Sequence, residues 1–144
     1  MSTTNLYQGL EPGKTLENVN YSVDLFLGVG EGTYNNHVIA KDQGVLMPGQ
    51  VMGLSTADNK LYVVDDGGAN GIDEPFAVLV HAVDTSAILT GNAASVDSEI
   101  QVLERTTALL NGNALTLGGT YTLASIRGLM TKAGLSFRTP GYSG

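Results

Sequence analysis

The chain of 144 residues contains no Cys, and this absence excludes disulfide bonds, thiolate metal sites and cysteine catalysis together. No apolar run approaches the roughly 20 residues that a bilayer-spanning helix needs. The first residues, MSTTNLYQG, lack the basic region and apolar run that are typical of a secretory signal peptide. The length fits one domain, whose core is large enough to fold without cross-links.

Basic residues are scarce, because seven Lys and Arg stand against fourteen Asp and Glu, for a formal net charge of −7. Phosphate backbones are bound by clustered cations. The sequence therefore predicts a protein that does not bind nucleic acid. An acidic surface suits a protein outside a nucleic-acid container, and simple solubility explains the same charge. No two of the seven cations are adjacent: Lys14, Lys41, Lys60, Arg105, Arg127, Lys132 and Arg138.

The chain is organised around the segment from residue 45 to residue 84. Its three apolar runs are too short for helices and rich in Val and Tyr, which favours strands. Pro48-Gly49 has the residues of a type II turn, and Asp58-Asn59 predicts a second reversal. A longer acidic, Gly-rich loop follows from residue 65 to residue 75. The predicted strands are Val51–Leu54, Leu61–Val64 and Phe76–Val83.

Further strands and one helix are predicted on either side of this segment. The helix Thr122–Ala133 has a single apolar stripe that includes Ile126, with Thr122 as its N-cap and Gly134 after its end. We expect the stripe to pack on the sheet and close the core. Residues 85–94 are predicted as a loop and Asn111-Gly112 as a turn. The other predicted strands are His37–Lys41, Glu99–Leu103 with a continuation over Thr106–Leu110, Ala114–Leu117 and Leu135–Arg138.

The N-terminal part of the chain predicts an arm. Residues 1–20 are polar with isolated apolar side chains, so they are either an extended arm or a disordered terminus. The alternating Tyr21–Leu27 predicts an amphipathic strand, whose edge could add to the sheet of a neighbouring protein. Gly28, Gly30 and Gly32 then predict a hinge. We place the boundary between arm (1–27) and body (28–144) there.

The sequence shows no catalytic motif, and it predicts a protein that is not an enzyme and needs no metal or cofactor. The carboxylates concentrated between residues 65 and 84 do not follow the spacing of a calcium loop, and no nucleophile with a base accompanies them. They are better explained as caps of turns. His37 and His81 each stand alone between apolar residues, where a metal site needs further ligands. The carboxylates are Asp65, Asp66, Asp73, Glu74 and Asp84.

The order of these pieces resembles the head decoration proteins of lambda-type tailed bacteriophages over about residues 38–138. The segments that carry the resemblance are PGQVMG, KLYVVDDGGANG, FAVLVHAVDTSA, EIQVLERTTALL and TLASIRGLMTKAGLSFR. It implies a mainly β (α+β) fold, in which a small β-barrel or β-tulip-like body of short strands carries one C-terminal helix and an extended N-terminal arm.

The resemblance also implies a function. The protein would bind the major capsid protein on the outer surface of the expanded phage capsid, as a homotrimer at local three-fold positions, and stabilise the shell against DNA pressure. It would be made in the host cytoplasm and reside on the virion exterior, without a nucleic-acid or membrane partner. The arm would hold the shell through its apolar side chains: Leu6, Tyr7, Leu10, Tyr21, Val23, Leu25 and Leu27.

Two other classes of function stay open on the sequence alone. One is a β-rich module that binds a carbohydrate or protein partner, although such modules usually display surface aromatics. Here Trp is absent, and the aromatics are six Tyr and three Phe. The other, less favoured, is a hydrolase that uses the carboxylates around residues 65–74.

Overall fold

The computed structural model describes residues 25–85 and 98–140. Within these ranges α1 (Leu123–Lys132) is the one complete α-helix, preceded by a 3-10 helix at Gly112–Ala114. It is too short to cross a membrane, and no other described helix could do so. The predicted mainly β fold with a C-terminal helix is confirmed. The strands are β1 (Gly32–Ile39), β2 (Val45–Leu46), β3 (Val51–Leu54), β4 (Leu61–Val63), β5 (Ala77–Leu79), β6 (Val83–Asp84), β7 (Ser98–Thr106), β8 (Leu110–Asn111) and β9 (Phe137–Arg138).

Five of the strands close into a barrel, in the order β1-β4-β3-β5-β7. All neighbours in this order are antiparallel except β1 and β4, which pair in parallel. The ladder between β7 and β1 extends over the whole of β1, from Gly32 to Ile39. Two small sheets, β2 with β6 and β8 with β9, lie outside the barrel order.

The seam between β1 and β4 has a single register pair, Ile39 with Leu61. The amide side chain of Gln43 supplies further bonds beside it. Its Nε2 donates to the backbone oxygens of Ala40 (2.9 Å) and Leu61 (3.2 Å), and its Oε1 accepts from the backbone N–H of Val63 (2.8 Å). One side chain therefore satisfies backbone groups that a longer strand pair would otherwise satisfy.

Alternation along the central strands divides the core into two clusters. Met52 of β3, Leu79 of β5 and Val102 of β7 face the barrel interior, where they pack with Ile39 and Leu61. Their neighbours in the sequence face the opposite way, as the two-residue period of a strand requires. This outer cluster lies against α1, so β3, β5 and the middle of β7, at Val102 and Leu103, are buried on both faces. Its members are Leu25, Val51, Val64, Val78, Leu103, Leu110, Ile126, Met130, Leu135 and Phe137.

The helix α1 begins and ends as predicted. Thr122 is the N-cap, and its side chain and that of Ser125 each accept a bond from the other's backbone N–H in a capping box. At the other end Gly134 has a φ of +86°, and the N–H of Leu135 donates to the oxygen of Met130 (2.8 Å). This is the Schellman arrangement, in which a left-handed residue after the helix satisfies its last carbonyls.

The predicted turns are also present. Gly49 has a φ of +98°, and the N–H of Gln50 donates to the oxygen of Met47 (3.2 Å), which closes the type II turn over Pro48. At the second reversal Asn59 has a φ of +63°, and its N–H donates to the oxygen of Ser55 (2.8 Å). These two turns connect β2 to β3 and β3 to β4.

The strand predicted over Phe76–Val83 is wrong in its extent. The apolar run divides into β5 in the barrel and β6 in the small sheet with β2, with a bend at Val80 and His81 between them. The chain changes partners after Leu79, whose backbone oxygen accepts from Gly49 (2.8 Å). A continuous apolar run cannot indicate where a strand changes its partner, because the partner is set by segments that are distant in the chain.

Three smaller strand predictions need correction. Ala114–Leu117 is no strand, because Ala114 ends the 3-10 helix and only Thr116 forms a bridge, with Gln50. The strand predicted at His37–Lys41 begins earlier and ends at Ile39, and the one predicted at Glu99–Leu103 continues to Thr106. Between residues 85 and 94, where a loop is predicted, all but Thr85 lie outside the described residues.

Candidate functional site

The first described residues are anchored to the body, although sequence patterns assign them to the arm. Leu25 is 3% exposed and belongs to the core cluster under α1. Phe26 forms a single bridge with Leu110, and the N–H of Leu27 donates to the oxygen of Leu109 (2.9 Å). The predicted strand Tyr21–Leu27 is therefore wrong for these last residues, which are held by the loop before β8.

The glycine segment that follows is also held, so the hinge prediction is wrong for its described residues. The N–H of Glu31 donates to Thr107 Oγ1 (2.9 Å), and the N–H of Thr107 donates to the oxygen of Glu31 (2.9 Å). A Cβ on Gly30 would lie 2.5 Å from the backbone nitrogen of Ala108. Gly30 is therefore needed for close approach of two backbones, not for free motion. Gly32 already belongs to β1.

This anchored segment borders an apolar groove of about 520 Å³. Val29 is 97% exposed at its rim, and Tyr34 and Leu109 are also exposed large apolar side chains. We call the groove together with these three side chains the root surface, because residues 1–24 join the body beside it. The groove is lined by Phe26, Gly28, Val29, Gly30, Gly32, Tyr34, Thr106 and Ala108.

One edge of β1 adjoins the root surface and is open within the described ranges. From Gly32 to Val38 the strand pairs with β7 on one side, and no described strand pairs with it on the other. Tyr34 and Val38 are exposed along it. An open strand edge beside exposed apolar side chains is a surface on which an extended segment of another protein can pair.

A cross-strand pair fixes the ladder behind this edge. A β-bulge lies opposite Thr33 and Tyr34, and Glu104 is the extra residue of β7 at that point. Its Oε2 accepts a hydrogen bond from His37 Nε2, and the ring of His37 meets the ring of Phe76 edge to face at 5.2 Å. Both side chains are largely buried.

Burial by itself would raise the pKa of Glu104, because a carboxylate loses solvation there. The hydrogen bonds from His37 and Asn35 and the nearby charges of His37 and Arg105 outweigh that effect, and the pKa is lowered from its ordinary value. The carboxylate is therefore better stabilised as an anion in the folded protein than in the unfolded chain.

In the acidic loop, Asp65 caps a turn as the sequence predicts, and Asp66 binds a distant segment. Asp65 Oδ1 accepts from the N–H of Gly67 (2.9 Å), and the carboxylate of Asp66 accepts from the N–H (2.9 Å) and hydroxyl of Thr120. These bonds from Thr120 are the main reason that the pKa of Asp66 is lowered. Within the described residues no group of three or more His, Asp or Glu could hold a metal ion.

A second concavity, of about 280 Å³, lies between the end of α1 and the chain before β5. Its described lining includes no Ser, Thr or His that could act as nucleophile or base. Two acids and two cations line it together with four apolar residues. The lining residues are Glu74, Pro75, Phe76, Glu104, Arg105, Leu129, Lys132 and Ala133.

Of the seven residues predicted to contact a capsid, the structure describes two. Leu25 is in the core, which removes its side chain from any surface open to a partner, and Leu27 is half-buried on the body. The other five, Leu6, Tyr7, Leu10, Tyr21 and Val23, lie outside the described residues.

Sequence reasoning missed the exposed side chains of the root surface. The available signal was Val29 between two glycines, since a β-branched side chain without apolar neighbours has nothing local to pack against. Tyr34 and Leu109 gave no such signal, because their exposure depends on pairing between segments that are distant in the chain.

Comparison with known protein families identifies a family for most of the chain. The family model of bacteriophage lambda head decoration protein D matches residues 15–128. This range includes the root surface, all the barrel strands and part of α1. No curated protein and no solved structure gives a significant match to the chain.

Proposed function

Since the chain belongs to the bacteriophage lambda head decoration protein D family, and is on that ground a structural protein of a phage head, we propose how it acts there. It binds the outer surface of the expanded capsid as a homotrimer at local three-fold positions, and it stabilises the shell against the pressure of packaged DNA. Its partners are the major capsid protein and two further copies of itself.

The observation that carries the proposal is the anchoring of Leu25 in the core beside the root surface. A segment that grips a shell transmits force only if its base is fixed. Here the base is fixed by a buried side chain and by the bond from Leu27 to Leu109. We assign the contact with the shell to residues 1–24, through the side chains of Leu6, Tyr7, Leu10, Tyr21 and Val23.

The root surface would meet the shell where this segment leaves the body. Val29, Tyr34 and Leu109 offer apolar area that water covers in the isolated chain, and burying it favours association. The open edge of β1 is available to main-chain pairing at the same place. Neither contact requires a reactive group.

Stabilisation of the shell follows from linkage. A protein that binds only the assembled, expanded lattice lowers the free energy of that state in proportion to its occupancy. The effect grows with the logarithm of free protein concentration over the dissociation constant. Decorated shells should therefore rupture at a higher temperature than bare shells, and the difference should increase with added protein.

The experiment uses emptied, expanded capsids of the cognate phage and compares co-sedimentation of four proteins. These are the full chain, a chain without residues 1–20, Val29→Asp in the root surface and Val45→Asp on β2. Both valines are exposed, at 97% and 62%, so neither change removes core packing. Val45→Asp faces Asp84 across the β2–β6 pair and should cost about 1 kcal/mol at most, which a thermal melt of each variant checks.

We expect the full chain and Val45→Asp to bind, the truncated chain to lose binding, and Val29→Asp to bind at least about tenfold more weakly, because one charge is desolvated in the contact. Unimpaired binding by the truncated chain would contradict the arm. If Val45→Asp binds capsids more weakly and Val29→Asp binds them normally, the capsid contact lies on the β2–β6 sheet and not on the root surface. Threefold association is tested separately, by a density map of the decorated particle.

A further inference from the structure

The chain contains two Asn-Gly sequences, Asn70-Gly71 and Asn111-Gly112. In such a pair the backbone nitrogen of Gly can attack the side-chain carbonyl carbon of Asn, because Gly has no Cβ that hinders ring closure. The two sites have very different surroundings. They form an internal comparison within one molecule, in which the chemistry is identical and only the structure differs.

Asn70 and Gly71 are the two central residues of an exposed turn. Their φ angles are +57° and +91°, and the N–H of Ile72 donates to the oxygen of Ala69 (3.2 Å) across them. Two consecutive residues with positive φ define a type I′ turn, for which Asn-Gly is a preferred sequence. Among the described residues, neither the amide side chain of Asn70 nor the N–H of Gly71 has a hydrogen-bond partner.

Asn111 is restrained on every side. Its Oδ1 accepts from the N–H of Asn113 (3.0 Å) and caps the 3-10 helix, which holds the side-chain carbonyl in that bond. The residue is also paired with Arg138 in the β8–β9 sheet. Gly112 is buried, and a Cβ there would lie 2.9 Å from the side chains of Phe137 and Thr139.

We propose that Asn70 is a site of spontaneous deamidation in the folded protein and that Asn111 is protected. The nitrogen of Gly71 attacks Cγ of Asn70, a new N–Cγ bond forms, and the Cγ–Nδ2 bond breaks. Ammonia leaves with the proton that Gly71 gives up, which produces a succinimide ring. Water then opens the ring at either carbonyl, and the product is aspartate or isoaspartate.

What holds Asn70 in its unreactive turn is mainly Thr56. The backbone oxygen of Asn70 accepts from the N–H of Thr56 (2.8 Å) and from its hydroxyl (3.2 Å). Reaction therefore requires a local opening of an exposed loop, which is a low-energy event, whereas opening at Gly112 disturbs the core. We expect Asn70 to convert at least about tenfold faster than Asn111 in the folded chain.

The product changes the loop in two ways. It adds a carboxylate to a loop that already carries Asp65, Asp66, Asp73 and Glu74. The isoaspartate form also lengthens the main chain by one methylene, which moves the oxygen that Thr56 binds. Aged protein should therefore unfold at a lower temperature than fresh protein.

The experiment incubates the purified full chain at mildly alkaline pH and follows both sites by peptide mapping, with Asn70→Asp as the chromatographic standard for one product. A sample unfolded in urea gives the rates of the two sites without structure. Asn70→Gly keeps a turn that tolerates two glycines and removes the reactive side chain. Thr56→Val removes one bond to Asn70 at nearly constant volume.

In urea both sites should convert at similar rates, and in the folded chain conversion should occur at residue 70 with residue 111 intact. Thr56→Val should raise the folded rate at residue 70 by a factor of about two to ten, and Asn70→Gly should abolish the loss of thermal stability on ageing. Equal or faster conversion at Asn111 in the folded chain overturns the proposal. So does the absence of conversion at Asn70 over a time that converts both sites in urea.

Discussion

The barrel is built differently on its two sides. On one side β3, β5 and the middle of β7 are buried on both faces, by the barrel interior and by the cluster under α1. On the other side β1 meets β4 through a single register pair, and Gln43 bridges the seam. The covered side is held by apolar packing, and the seam is held by a few hydrogen bonds.

The covered side stabilises the fold, whereas the side with the seam carries the edge proposed for binding. Apolar packing buries Val78, Leu79, Val102 and Leu103 on the covered side, and the long ladder between β7 and β1 connects β1 to these strands. The thin seam involves only Ile39 of β1, so no strand among residues 25–85 and 98–140 pairs with most of the outer edge of β1 beside the root surface. A complete β1–β4 ladder would make a tighter barrel but would close the edge that a shell protein can use.

The largest expected effect comes from breaking the covered side. Ile126 of α1 is fully buried in the cluster with Val78 and Leu103, so Ile126→Asp places a carboxylate in an apolar site without a partner. We expect a loss of about 4 kcal/mol or more in the free energy of unfolding. Urea denaturation followed by circular dichroism measures it.

The matched control is Thr131→Asp, since Thr131 is on the exposed face of the same helix. It should cost no more than about 1 kcal/mol, through an acid near the negative end of the helix dipole. A midpoint for Ile126→Asp close to that of the control would show that α1 does not close the core.

Breaking the seam should cost less. Gln43→Ala leaves the N–H of Val63 and the oxygens of Ala40 and Leu61 without their side-chain partner in a partly buried place. We expect a loss of about 2 to 3 kcal/mol and faster hydrogen exchange at Val63. Gln101→Ala, at an exposed position of β7, is the control and should change stability by at most about 0.5 kcal/mol. Equal losses in the two variants would mean that the seam does not depend on Gln43.

The same two sides differ in how well sequence patterns predict them. The helix with its cap at Thr122 and its end at Gly134, and the turn at Pro48-Gly49, are specified by neighbouring residues, and all are confirmed. Local signals of this kind depend on backbone sterics and on bonds within a few residues, so they can be inferred without the fold.

The seam and the root surface could not be predicted in this way. Gln43 is a polar residue outside the predicted strands, and its bonds to Leu61 and Val63 exist only after the barrel has closed. Leu25 continues an alternating pattern, but it is buried by a helix a hundred residues away. The hinge prediction failed for the same reason, because Gly30 faces Ala108. Each of these depends on pairing between distant segments, which a pattern within a short window does not contain.

The smallest expected effect concerns the ladder that joins the two sides, and it depends on pH. The pKa of Glu104 is lowered in the folded protein, so its contribution to stability is present above the carboxyl's ordinary value, about pH 4.3, and is lost as pH falls through the folded value. Glu104→Gln keeps the shape and removes the titrating group. The urea midpoint of the natural chain should fall more steeply from about pH 6 to about pH 3 than that of the variant.

Asp58→Asn is the control for this measurement, because the pKa of Asp58 is also lowered, chiefly by the hydroxyl of Tyr62, but in an exposed turn where solvent screens the interaction. We expect the pH profile of Asp58→Asn to stay close to that of the natural chain. If the urea midpoint of Glu104→Gln falls with decreasing pH as steeply as that of the natural chain, the carboxylate of Glu104 does not contribute pH-dependent stability. The rigidity of β1 then comes from its eight register pairs with β7 and not from the bond between His37 and Glu104.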